Sequence, residues 1–165
     1  MSRTLFLSAV ASAAILAAPV VAQTPASTQD FLNKAVPSNQ FEIESSELAL
    51  ERADDDDVRA FAERMIEDHT TAAERMQLAV SEDESVEMPP ATLDEKHQAL
   101  VDELSNLEGD DFDERYTEMQ IQAHEEAVTL FSEFIESGED GPVKLAAEKL
   151  LPTLEQHHTM VEEME

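Results

Sequence analysis

The sequence predicts an all-α protein, a four-helix bundle made of two helical hairpins joined by a short crossover helix. Only three glycines occur in 165 residues. Every long segment repeats its apolar residues at three- and four-residue steps, and none alternates apolar with polar as a half-buried strand does. Four such segments are long and one is short, which is what two hairpins and a connection require.

The first 22 residues read as a secretory signal peptide. Arg3 gives a positive start, Leu5 to Val21 is rich in Leu, Ala, Val and Ile, and Val20-Val21-Ala22 ends on small residues before Gln23. Pro19 and the polar sequence that follows argue against a retained anchor. Removing 22 residues from 165 leaves 143, enough for one domain with one core. Residues 23–27 are expected to be a flexible N-terminus and residues 28–165 the bundle.

The first helix is expected from Thr28 to Ala53, with Phe31, Ala35, Ser38, Glu42, Ser45 and Ala49 along one face. Pro37 should kink or restart it. The run Asp54 to Asp57 turns the chain and caps the second helix, Val58 to Ser81. Its stripe includes Val58, Phe61, Met65, His69, Ala72, Met76 and Ala79. Pro89-Pro90 lies in a polar stretch before a shorter helix bearing Leu93, Leu100, Leu104 and Leu107. Gly109 ends that helix and leads into the third long one, Phe112 to Ser137, striped by Tyr116, Gln120, His124, Ala127, Phe131 and Phe134. Pro142 suits the first position of the last helix, which carries Leu150, Leu154, His157 and Val161. Pro152 should bend it. A linking helix of ~15 residues would reach roughly 22 Å, enough to return the chain along the bundle as in ferritin-like folds.

Composition limits the partners. There are 38 acidic residues against 10 basic ones, a formal net charge of −28, and no cysteine. Such a field repels nucleic acid and anionic lipid, so no nucleic-acid partner is expected. It suits a solvated surface, in a salty environment above all. No segment after the signal is apolar enough to span a bilayer, so the mature chain is expected to lack a transmembrane segment. Without cysteine, neither disulfides nor thiolate metal sites are available.

Chemistry is concentrated in four residues, one per long helix. His69, His124 and His157 interrupt apolar stripes, and Glu42 is a carboxylate on the core face of the first helix. Glu42 lies 12 residues before Asp54 and His69 lies 13 after Asp56, so both are roughly 18–20 Å from the first turn. His124 lies 14 before Gly138 and His157 lies 16 after Gly141, roughly 21–24 Å from the second. One ligand-type residue per helix at matched depth is how bundles build metal sites. Three imidazoles and one carboxylate suit one zinc, copper or iron ion better than calcium or magnesium. Asp68 and Tyr116 are candidates to orient those ligands. The same residues are also compatible with a metal-free polar network that fixes helix register, in a non-enzymatic acidic envelope or stress protein.

Glu155 and His158 have the Glu-x-x-His spacing of di-iron bundles, but the second helix has Ile66 three residues before His69, so a di-iron centre is not expected. His97 belongs to the short helix. No glycine-rich phosphate loop, nucleophile elbow or His-Glu-x-x-His occurs, and no acid–base pair stands out as catalytic. The seven methionines are spaced as core filler.

With these residues in place, the chain resembles domain-of-unknown-function family 4142, a family of bacterial exported proteins with a ferritin-like bundle. The resemblance rests on Phe41 to Ala49, Val58 to His69, Phe112 to Tyr116 with His124, and Leu151 to His157. Its most specific element is Met65-x-x-Asp68-His69. It covers roughly residues 28–162 and implies a ferritin-like fold and an exported protein, periplasmic or outer-membrane-associated. Glu42, Asp68, His69, Tyr116, His124, Pro152 and His157 fall on the family pattern, which implies no activity. Pro37 departs from the family's usual unbroken first helix.

Overall fold

A computed structural model describes residues 27–164; the expected signal peptide and most of the segment after it lie outside the described residues. Five helices follow in order: α1 Thr28–Arg52, α2 Asp56–Ser81, α3 Glu95–Leu104, α4 Asp110–Ser137 and α5 Pro142–Glu162. They form the ferritin-like bundle that the periodicity predicts.

The helix starts are chemical. Ser27 Oγ accepts from Asp30 N at 3.3 Å, Asp55 Oδ1 accepts from Asp57 N at 2.7 Å, and Asp94 Oδ1 accepts from His97 N at 2.8 Å. These caps satisfy amide groups that have no partner within the helix. Pro142 opens α5, where its missing N–H leaves no gap in the helical hydrogen bonds. α1 runs continuously through Pro37, without the restart that was one of the two expected outcomes, and α5 runs continuously through Pro152. Pro37 is buried, and packing of its ring in the interior offsets the one hydrogen bond it removes.

α1 and α2 form one hairpin and α4 and α5 the other. α1 also packs on α4 and α2 on α5, which leaves α2 and α4 on a diagonal. The crossover sets their direction. Gly109 N donates to Arg52 O at 3.1 Å, and Asp113 Oδ2 accepts from Asp54 N and Asp55 N at 3.1 and 2.9 Å. The start of α4 is therefore tied to the first turn, and α2 and α4 run parallel. α3 descends antiparallel to α4, with Lys96 paired to Glu126 near its start and Arg115 to Glu103 at 2.6 Å near its end. α3 is shorter than expected, 10 residues. A non-helical segment around Pro89 and Pro90 covers the rest of the return.

The core is divided. Phe41, Phe61, Met65, Leu104, Phe112, Tyr116 and Val161 pack together toward the first turn. Phe31, Leu32, Met76, Phe131, Phe134, Leu150 and Leu154 form a second cluster toward the other end. There the Phe31 and Phe134 rings stack with centroids 4.1 Å apart. Along each of three helices the histidine stands between these clusters: His69 between Met65 and Met76, His124 between Tyr116 and Phe131, and His157 between Leu154 and Val161.

Candidate metal centre

His69, His124 and His157 meet at that boundary. One ring nitrogen of each lies within 4.8 Å of the corresponding atoms of the other two, and the ring centroids are 5.4–5.7 Å apart. All three side chains are buried.

The hydrogen bonds decide which nitrogens are free. His124 Nδ1 lies 2.9 Å from the carbonyl oxygen of Gln120, which can only accept, so Nδ1 carries the proton. His157 Nε2 lies 2.9 Å from Asp68 Oδ2; the carboxylate accepts, so Nε2 is the donor. Asn39 donates from its amide nitrogen to the His69 carbonyl at 3.1 Å, which turns its oxygen toward His69 Nδ1 at 3.0 Å. Each ring thus has one nitrogen held by an oxygen acceptor. The opposite nitrogens, His69 Nε2, His124 Nε2 and His157 Nδ1, are buried without a partner.

Electrostatics keeps these rings neutral. Burial, and then the neighbouring His124 and His157, hold His69 well below the ordinary histidine value. Burial lowers His124 to about 4 against a weaker opposing effect of the Gln120 carbonyl. Burial also lowers His157, with Asp68 opposing. Neutral imidazole is the form that binds a metal, so no proton has to be displaced at neutral pH. Three buried acceptors without donors are otherwise expensive, about 1–3 kcal/mol each.

The donor set fits a transition ion. Imidazole nitrogens suit zinc, copper and iron, and each free nitrogen is backed by an acceptor on the far side of its ring, the arrangement that orients metal-bound histidines. The nitrogens lie within 4.8 Å of one another, wider than the roughly 3.3–3.5 Å that separates three nitrogens bonded at ~2 Å to one ion. Binding one ion would require the three rings to close inward by side-chain rotation.

Of the residues singled out in the sequence, the structure brings together the three histidines and Asp68, which supports His157 rather than its chain neighbour His69. Glu42 is not in the group of ligand atoms that converge. It is buried in the next layer, beside Gln120, with Oε2 unpartnered, and burial raises its carboxyl to about 8. Tyr116 also lies in that half of the bundle. Its hydroxyl is 2.8 Å from Ser46 Oγ, and burial raises its pKa. The offset has a simple origin. His69 is 13 residues from Asp56, the first residue of α2, and the residue 13 before Arg52, the last of α1, is Asn39 rather than Glu42. His158 points to Glu162 at 3.8 Å, and His97 to Asp94 at 2.8 Å.

Among solved structures, the chain is similar to CopM in a Cu(II)-bound form, with a TM-score of 0.70 and 18% identity, covering 86% of this chain and 97% of that one. CopM in an Ag-bound form gives a TM-score of 0.67 and 19% identity over 84% and 94% of the two chains. A DUF305 protein from Streptomyces coelicolor gives 0.66 and 16% over 81% and 88%. At these identities the likeness establishes the bundle fold. No curated protein sequence matches. The model of the domain of unknown function DUF4142 matches residues 13–164, and the chain belongs to that family.

Proposed function

We propose that this protein is an exported bundle that binds one transition metal ion through His69, His124 and His157. The observation that carries the reading is the convergence of three buried, partnerless nitrogens from three helices, each on a ring whose other nitrogen is anchored. Copper heads the candidate ions. It stands at the top of the affinity order for nitrogen sites, and CopM, similar in fold, is described with copper and silver bound. Zinc and iron accept the same donors. Glu42 acts as a neutral acid in the layer beneath, and Asp68 and Asn39 orient the ligands.

Export is supported by the apolar run Leu5 to Val21 and the small-residue end Val20-Val21-Ala22, and by the DUF305 neighbour, which is described as secreted. No helix among the described residues is long and apolar enough to cross a membrane.

The test is metal content and linked stability of untagged protein. One equivalent of copper, zinc or iron per chain, with a melting temperature that falls on chelation, is expected. Chains that stay metal-free and melt at the same temperature with and without added ions would sink the reading.

A further inference from the structure

Two large apolar side chains of the described residues are exposed, Leu78 at 66% and Leu145 at 56%. Both line one groove between the end of α2 and the start of α5, to which each helix gives four residues. α5 runs opposite to α4 and therefore opposite to α2. The two ends meet where a Cβ on Gly141 would lie 3.7 Å from Asp83 Oδ2. The groove accordingly has three levels. Arg75 and Lys149 lie on the side toward the bundle centre, Leu78 and Leu145 in the middle, and Glu82 and Pro142 at the end.

The charges on these levels are sorted. Arg52, Arg64, Lys96, Arg115 and Lys144 are each paired to an acid, whereas Arg75 and Lys149 have no ion pair among the described residues. Beyond the leucines the turns are acidic, with Asp83 and Glu84 after α2 and Glu139 and Asp140 before α5. On α2 the order is explicit: Arg75, Leu78 and Glu82, at i, i+3 and i+7, form one stripe of the helix surface. Turned end for end, cation–leucine–acid becomes acid–leucine–cation. The stripe is its own complement, which is what a two-fold contact requires.

We infer that this face docks a second copy of the chain, about a two-fold axis that crosses both helices at the level of Leu78 and Leu145. The leucines of the two copies pack together. Arg75 of each copy lies over Glu82 of the other, and Lys149 over the acidic turn before α5. A two-fold along the helices would instead set cations over cations, so the charge order selects the antiparallel arrangement. Eight groove residues a side fall short of the ~20–30 of a standard interface, and the net charge of −28 opposes association. The dimer is therefore a weak one, formed where salt cuts the Debye length to ~8 Å and mutes repulsion between the two bodies. The same net charge disfavours an anionic membrane as the occupant. The contact involves none of the three histidines and does not depend on the metal reading.

The experiment is sedimentation equilibrium of the full chain recovered after export, from about 1 μM to about 1 mM and at physiological salt. Expected is a monomer–dimer equilibrium with no larger species. Leu78→Glu and Leu145→Glu, both at exposed positions, should each weaken it about tenfold or more with helical content unchanged. Arg75→Glu sets acid over acid and Glu82→Arg sets cation over cation, so each alone should weaken the dimer about tenfold. Mixed together, these two variants should form a heterodimer about as tight as wild type, because every cation again meets an acid. A chain that stays monomeric throughout overturns the two-fold contact. So does a dimer untouched by both leucine substitutions, or a mixture no more dimeric than its parts. A monomeric chain that binds phosphatidylglycerol vesicles through Leu78 makes the face a membrane surface and overturns the contact as well.

Discussion

The side-chain amide of Asn39 grips His69 at two points, donating to its carbonyl oxygen at 3.1 Å and accepting from its Nδ1 at 3.0 Å. The pair locks α1 to α2 at the level of the centre and fixes the His69 tautomer with Nε2 bare. Asn39→Ala removes both bonds and leaves the ring free to turn. Metal affinity, measured by competition with a chromophoric chelator, should fall about 10–100-fold. Stability of the metal-free protein in urea should fall by about 1–3 kcal/mol.

Asp68 does the same for His157 from another helix. Asp68→Asn keeps an oxygen that can accept from Nε2, whereas Asp68→Ala keeps nothing. If the hydrogen bond orients the ring, the Asn variant should hold metal markedly better than the Ala variant under the same competition assay. Equal losses in the two would show that the negative charge, not the bond, is what matters.

The three ligands should act as one unit. With free metal at a hundredfold excess over the dissociation constant, binding stabilises the fold by about 2.7 kcal/mol. His69→Ala, His124→Ala and His157→Ala should each lose most of that increment, and the double variants little more, because one missing ligand already disables the centre. Thermal melts with and without metal, taken as differences, separate this from the cost of each substitution to the metal-free fold.

Much of this was legible in the sequence because helices report their buried face through period. His69, His124 and His157 stand out since each is a polar residue in an otherwise apolar stripe, and counting from the turns puts them level. Glu42 misled for the same reason: it is polar and core-facing, but the count began at Asp54, whereas α1 ends at Arg52 and α2 starts at Asp56. Counted from those ends, Asn39 is level with His69. An uncharged amide two residues from Pro37 carries no sequence signal that separates it from helix surface. Asp68 was legible as a neighbour of the centre but not as a partner of His157. Consecutive helical residues point ~100° apart, so the side chain beside His69 faces a different helix.

Gly109 carries the join between the hairpins. Its φ of +61° and ψ of −142° lie in a region that is essentially glycine-only. An added Cβ would stand 3.1 Å from Asp54 Oδ2. Its N–H holds the Arg52 carbonyl at 3.1 Å, the contact that ties the start of α4 to the first turn. Gly109→Ala should cost about 1–3 kcal/mol of stability, read by urea unfolding, while metal affinity stays at the wild-type value because the centre lies some 15 residues along α4. A large loss of affinity would mean that the register of α4 depends on this turn.

Glu42 and the histidines make opposite demands on pH in the metal-free protein. A histidine held below 6.5 contributes stability that is complete above 6.5 and is lost as pH falls toward its folded value, about 4 for His124; that span corresponds to about 3 kcal/mol. Glu42 is raised from 4.5 to about 8, so its contribution is complete below 4.5 and is lost as pH rises through 8. Between 4.5 and 6.5 the two slopes oppose each other. From 6.5 to 8 Glu42 acts alone among these groups, and stability should decline by about 2 kcal/mol. Glu42→Gln keeps the shape and removes the ionisation. Chelated protein carrying it should show no decline over pH 6.5–8 in urea unfolding, and a larger loss of stability than wild type when acidified from 6.5 toward 4, because Glu42 no longer opposes the histidines. A wild-type curve flat from 6.5 to 8 would mean that Glu42 reaches solvent or a cation when it ionises, and that the layer beneath the histidines is not closed.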